Sequence, residues 1–240
     1  MVLALDRDDP TIYETDFPKS DKLILSIEDR EDSLGAKYNR CQKAHEAELY
    51  VLGCDDTVIS TKGWDEHLLN ASRVHEDGIA VVYFGNIPGV FQPGIAVSHK
   101  LVEKMGYFMV PHFPFWWHDT WAHEIGVMIE RIVKTDVDMI PIGEIKSSRG
   151  VREIQFWAKL FDDLRPERRR IAERIIAERL DRQTDQLERS NLCLRDFENA
   201  KRLESEFGFD APENERYLRL KRAAETIGEY HGTSSKPAVI

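Results

Sequence analysis

Leu49-Tyr50-Val51-Leu52-Gly53-Cys54-Asp55-Asp56 is the stretch on which the reading of this chain turns. Its apolar run leaves no polar face for water, which predicts a central strand covered on both sides. The run stops abruptly on adjacent carboxylates. Upstream, Leu34, Tyr38, Cys41 and His45 recur at helical spacing behind Ser33, a good N-cap, and predict a helix within residues 33–48. Before it, residues 2–5 and 23–27 are short apolar runs that predict strands, the first followed by Asp6 and Asp8, the second by Glu28 and Asp29. Downstream, Trp64, Leu68, Leu69 and Ala71 predict a helix over residues 63–74, followed by a strand over 79–84. Residues 98–105 predict a short helix, 111–117 an irregular aromatic loop, 121–133 a helix and 138–145 a last strand. Alternation of this kind predicts an α/β domain, a mostly parallel sheet flanked by helices, over residues 1–150.

Charge divides the chain at the same place. Residues 1–150 hold 15 Lys/Arg against 25 Asp/Glu, and residues 151–240 hold 18 against 18, so the whole net charge of -10 belongs to the first part. An acidic domain repels phosphate backbones, which argues against a nucleic-acid partner and makes a bridging cation useful for any anionic substrate. Cys41, Cys54 and Cys193 are odd in number and widely spaced, which disfavours both a disulfide framework and a thiolate zinc site. No apolar run reaches the ~20 residues of a membrane span, and a cytoplasmic location is expected.

Residues 151–231 read as a helical C-terminal extension, and 232–240 as a disordered tail. Within the extension, Ile171, Ile175, Ile176, Leu180 and Leu187 line one side of a helix over 165–188, expected to pack on the domain or on a second subunit as a homo-oligomer. Glu167, Glu173 and Glu178 neutralise the Arg168-Arg169-Arg170 run, which is expected to be a solvated helix face.

In open α/β sheets, ligands collect beyond the carboxyl ends of the strands, where the acids of this chain lie. Adjacent carboxylates there offer the hard oxygen ligands that Mg²⁺ or Mn²⁺ takes. Spacing alone favours a pair of turn- or helix-capping acids.

The order of several segments resembles the GT-A (Rossmann-like) fold of nucleotide-sugar glycosyltransferases, particularly the inverting family-2-like group, over roughly residues 2–150. Gly35-Ala36-Lys37-Tyr38-Asn39 with Ala44 is similar to that family's helix before its metal strand, and Val51-Leu52-Gly53-Cys54-Asp55-Asp56 to the strand itself. Trp64 follows, then Gly94-Ile95-Ala96-Val97-Ser98, Glu103-Lys104-Met105-Gly106-Tyr107-Phe108, and His118-Asp119 in the place of an acidic catalytic motif. The resemblance implies a divalent ion, Mn²⁺ or Mg²⁺, held chiefly by Asp56 with Asp55. It implies Asp119 as the base that takes a proton from an acceptor hydroxyl, Asp6 and Asp29 as nucleoside contacts, and Lys37 as a phosphate contact. The donor implied is a UDP-sugar, and the acceptor a carbohydrate or other hydroxyl.

This sequence departs from the family pattern in lacking the usual first strand and in carrying Ile145-Lys146-Ser147-Ser148 where relatives place a metal-binding His. His112, His118 and His123 are candidates to replace it, although a His beside aromatics more often packs. His123-Glu124 suggests a zinc-protease helix, but Val127 stands where the second His is required. Trp116, Trp117 and Trp121 fit either a sugar-stacking surface or a core. The alternative function is a non-catalytic scaffold of the same fold that binds a carbohydrate or protein partner.

Overall fold

The computed structural model describes residues 1–53, 57–85, 94–142 and 153–179. Asp55, Asp56, residues 145–148, the C-terminal part of the helical extension and the tail 232–240 lie outside the described residues. In chain order the elements are β1 (Val2–Asp6), β2 (Ile24–Glu28), α1 (Leu34–Ala44), β3 (Leu49–Leu52), β4 (Thr57–Ile59), α2 (Trp64–Ser72), β5 (Val81–Phe84), β6 (Gly94–Ser98), α3 (His99–Met105), α4 (His118–Met128), β7 (Ile132–Lys134), β8 (Met139–Pro141), α5 (Ile154–Asp163) and α6 (Arg165–Arg179). The chain is α/β, as the alternation predicts.

The expectation of a mostly parallel sheet is corrected. β1 and β2 pair in parallel as a two-stranded unit. The four-stranded sheet runs β3-β6-β5-β7, and β6 is antiparallel to both β3 and β5, whereas β5 and β7 are parallel. β4 and β8 form a separate antiparallel pair. The reason lies in residues 94–98, for which the sequence alone predicts no strand. They form a strand buried at every position, wedged between β3 and β5 against the direction of both. β6 therefore holds the central place expected of β3, which is an edge strand among the described residues. Gly94 permits this insertion, since a Cβ there would stand 2.5 Å from the ring of Phe84 on the neighbouring strand.

Both faces of this sheet are covered, which explains its continuous apolar runs. Alternate residues serve opposite layers. Val81, Ile95 and Val97 join Leu101, Trp121, Ile125, Phe161 and Ile175 on one face, while Ala80, Val82, Phe84 and Ala96 join Leu68, Val137 and Met139 on the other. The first face carries α3 to α6, so the beginning of the C-terminal extension completes the core of the α/β domain.

Local chemistry sets the helix starts. Ser33 Oγ accepts from Ala36 N at 3.1 Å and caps α1, and Ser98 caps α3 by accepting from Leu101 N. α4 begins earlier than the spacing predicts, after Trp117 with φ of 75°, and ends at Met128. The residues assigned to its last turn, Ile132 and Val133, belong to β7 because they pair with Val81 and Val82. A tertiary ladder outweighs helical periodicity there.

Arg168 is a second correction. It is fully buried, with Nε 2.6 Å from Glu124 Oε2 and Nη1 donating to the Phe161 carbonyl at 2.7 Å. The run is thus split by helix geometry: Arg169 pairs with Glu173 and Arg170 with Glu167 on the outer side, while Arg168 points into the core.

Candidate functional site

The first turns of α1 tie three ends of the fold together. Lys37 pairs with the carboxylate of Asp6 at the carboxyl end of β1, and the adjacent Tyr38 hydroxyl donates to the Gly53 carbonyl just beyond β3. Leu34 N donates to the Pro114 carbonyl at 3.0 Å, which fixes the aromatic loop to the helix start. Asn39 holds the segment before that loop like a short strand partner: its Nδ2 donates to the Met109 carbonyl at 2.7 Å, and its Oδ1 accepts from Phe108 N at 2.9 Å and Met109 N at 2.8 Å.

Gly35 completes the junction by close approach. A Cβ on it would lie 2.8 Å from His118 Cε1 and 3.1 Å from the Val110 carbonyl oxygen, so only glycine lets α4 begin beside α1. His118 is 3% exposed, and neither ring nitrogen makes a well-aligned hydrogen bond. Burial pushes its pKa down to about 4, opposed weakly by the nearby Val110 carbonyl. The ring is neutral at physiological pH.

Asp119 follows in the first turn of α4. Its Oδ1 accepts from Thr120 N at 2.7 Å and from Thr120 Oγ1 at 3.3 Å. Desolvation raises its pKa, against the lowering effect of the Thr120 hydrogen bonds. A carboxyl shifted in this direction is a better proton acceptor than an ordinary surface aspartate once ionised.

The other acids differ in setting. Asp6 is largely shielded and shared between Lys37 and Arg30, the latter at 3.6 Å. Asp29, one residue beyond β2, is 93% exposed and pairs with Arg7 Nε at 3.1 Å. Asp8 pairs with Arg30 Nε at 2.9 Å, and that hydrogen bond lowers its pKa. Junction and acids together bring Asp6, the end of β3 and the helix bearing Asp119 around one stretch of α1. Asp29 stands on the neighbouring strand end, because Asp6 and Glu28 are in register.

No group of three or more His, Cys, Asp or Glu side chains among the described residues is arranged to hold a metal ion. Asp6 is engaged by cations, and the expected ligands Asp55 and Asp56 lie outside the described residues. The described residues alone do not make a metal site.

Of the aromatic candidates, Trp121 is 1% exposed and Trp117 5%, and Trp117 stacks on Phe161 with centroids 4.8 Å apart. Both belong to the core. Phe115, which the sequence reading did not single out, is 44% exposed, and half-buried Trp116 lies beside it at 6.3 Å. His123 is buried with its ring 5.6 Å from that of Tyr83. The sequence marks Gly35 and Asn39 only as part of the resembling α1 segment and assigns them no role; they carry the junction, yet neither bears charge or catalytic chemistry.

No protein-family model matches the chain, and no curated protein matches it. No helix among the described residues is long and apolar enough to cross a membrane.

Proposed function

We propose that this chain is a GT-A-like glycosyltransferase that moves a sugar from a nucleotide-sugar donor to an acceptor hydroxyl with inversion. The observation that supports it best is the α1 junction, which gathers strand ends and the amino end of α4 where an α/β fold binds ligands. Asp119 is the base in this reading. Its desolvated carboxylate takes the acceptor proton while the first turn of α4 holds its orientation through Thr120. Asp6 and Asp29 contact the nucleoside, and Phe115 offers an exposed ring for an acceptor sugar. Mn²⁺ or Mg²⁺ on Asp55 and Asp56 would offset charge on the departing diphosphate; that part of the proposal rests on the sequence pattern alone.

The test is binding of UDP and other nucleoside diphosphates by calorimetry with and without Mn²⁺, for the chain and for Asp56→Asn. Metal-promoted binding lost in the folded variant is the expected result. Equal binding by the variant removes the metal role.

One observation favours the second reading, a scaffold of this fold without catalysis. Lys37 and Asp6 neutralise each other, so neither contacts a nucleotide unless the pair separates. Glycan affinity without any nucleotide binding selects that reading.

A further inference from the structure

Among the described residues, three other than glycine have left-handed backbone: Trp117, Glu130 and Glu153. Glu130 and Glu153 are exposed, whereas Trp117 is 5% exposed. A bulky residue at φ of 75° and ψ of -1° holds that conformation only where its surroundings impose it. Trp117 also starts α4, and the residue that starts a helix ordinarily has extended backbone and a side chain that accepts from the first turn. Ser33 and Ser98 start α1 and α3 in that way, at φ of -146° and -64°. The Trp117 side chain makes no such cap.

The left-handed residue reverses the chain. Pro114, three residues before it, accepts from Leu34 N, and His118, the residue after it, packs on Gly35, so both flanks return to the first turn of α1. The Trp117 carbonyl accepts from Trp121 N at 2.8 Å and opens the helix that carries Asp119. The Asp119 carboxylate in turn accepts from a first-turn N–H, that of Thr120.

What imposes the conformation is the place of the indole in the core. It stacks on Phe161 of α5, with centroids 4.8 Å and planes 27° apart. Phe161 is fully buried and braced by the rings of Phe113 at 5.9 Å and Trp121 at 6.0 Å. With α4 in place, right-handed backbone at Trp117 would redirect the chain before it and take Pro114 off Leu34; with the loop in place, it would redirect α4. Asp119 is thus held from two sides, by α1 through His118 and by α5 through Trp117.

We propose that Trp117 is the positioning residue for Asp119, and that Phe161 of the C-terminal extension holds it in that role. This rests on the reading of Asp119 as the base and deepens it. A base must meet the acceptor proton while the acceptor oxygen is aimed at the anomeric carbon, and a displacement of about 1 Å costs on the order of 10²-fold in rate. The extension then serves the chemistry as well as the core.

The test uses Trp117→Leu, Phe161→Leu, the two combined, and Trp117→Phe. Leucine keeps an apolar side chain without a ring face, and phenylalanine keeps the ring. Where urea unfolding shows a folded variant, two readings are taken: the χ1 angle of Asp119 from NMR three-bond couplings, and kcat and KM from UDP release by a panel of UDP-sugars with Mn²⁺ and methyl glycosides as acceptors. Expected are one Asp119 rotamer in the unaltered chain and in Trp117→Phe, and averaging among staggered rotamers in both leucine variants. With it, kcat falls about tenfold or more at a donor KM within about twofold. The double variant should be no worse than the worse single one. A single rotamer and unchanged kcat in Trp117→Leu, with only a lower urea midpoint, overturn the proposal, because Trp117 is then a core residue alone. Losses that add in the double variant overturn the role of Phe161, whose ring also lies 3.8 Å from the Arg168 guanidinium. If the unaltered chain releases no UDP, the glycosyltransferase reading fails, and the couplings still decide the positioning: averaging in Trp117→Leu sustains it and a fixed rotamer overturns it. Methionine, unbranched and adaptable, replaces leucine in any variant that does not fold.

Discussion

Arg168 Nε lies 2.6 Å from Glu124 Oε2, and the two side chains are 0% and 1% exposed. α6 is thereby joined to α4 through the centre of the core, with the guanidinium carbon 3.8 Å above the Phe161 ring and 5.0 Å from that of Trp121. The aromatic faces and the Phe161 carbonyl supply what the guanidinium loses on leaving water. Charge at this depth is tolerated only as a complete set.

Breaking that set from one side leaves an uncompensated buried charge. Arg168→Met and Glu124→Leu should each lower stability by about 3–5 kcal/mol, whereas the two combined should restore most of the loss. Urea unfolding of the three variants measures the cycle. Additive losses would show that the pair itself contributes nothing.

His118 gives the fold an acid-sensitive point. Its folded pKa, about 4, lies below the ordinary 6.5, so the unfolded chain binds the proton more readily. The contribution is fully present above pH 6.5 and is lost as pH falls through about 4. At ~1.4 kcal/mol per pKa unit it is on the order of 3 kcal/mol. Thermal unfolding from pH 7 to pH 4 should show a steeper decline for the chain than for His118→Gln.

Gly35→Ala sets two effects against each other. Alanine within a helix is favoured over glycine by about 1 kcal/mol, but the new methyl would meet His118 at 2.8 Å and the Val110 carbonyl at 3.1 Å. One neighbour is a buried ring and the other is backbone, so overpacking of about 1–3 kcal/mol wins. A lower urea midpoint at unchanged slope is expected. Ala36, on the exposed side of the same helix, tolerates Ser within about 0.5 kcal/mol.

Asp119→Asn separates function from stability. Folding raises the pKa of this carboxyl, so its ionisation opposes the fold once pH climbs above the unfolded value near 3.8. The neutral variant should therefore be at least as stable at pH 7. If Asp119 is the base, glycosyl transfer falls about 10²–10⁴-fold while donor binding persists, and the rate of the unaltered chain rises with pH through the Asp119 ionisation. Full activity in the variant would remove Asp119 from the chemistry.

Sequence alone determined the local pieces. Runs such as 49–52 and 81–84, and the caps Ser33 and Ser98, specify strand or helix through side-chain period and backbone hydrogen bonding, which act over a few residues. They suffice for the α/β class. Nothing local could determine that residues 94–98 enter the sheet antiparallel, because pairing direction depends on which edges are open when the strand arrives. The same limit hid Arg168 among three consecutive arginines, identical in composition and separated only by the 100° that each helical residue turns. It also hid the structural roles of Gly35 and Asn39, which are the absence of a Cβ and the reach of an amide toward residues about 70 positions away. Tertiary structure decided those matters, since close approach and burial are properties of the assembled core.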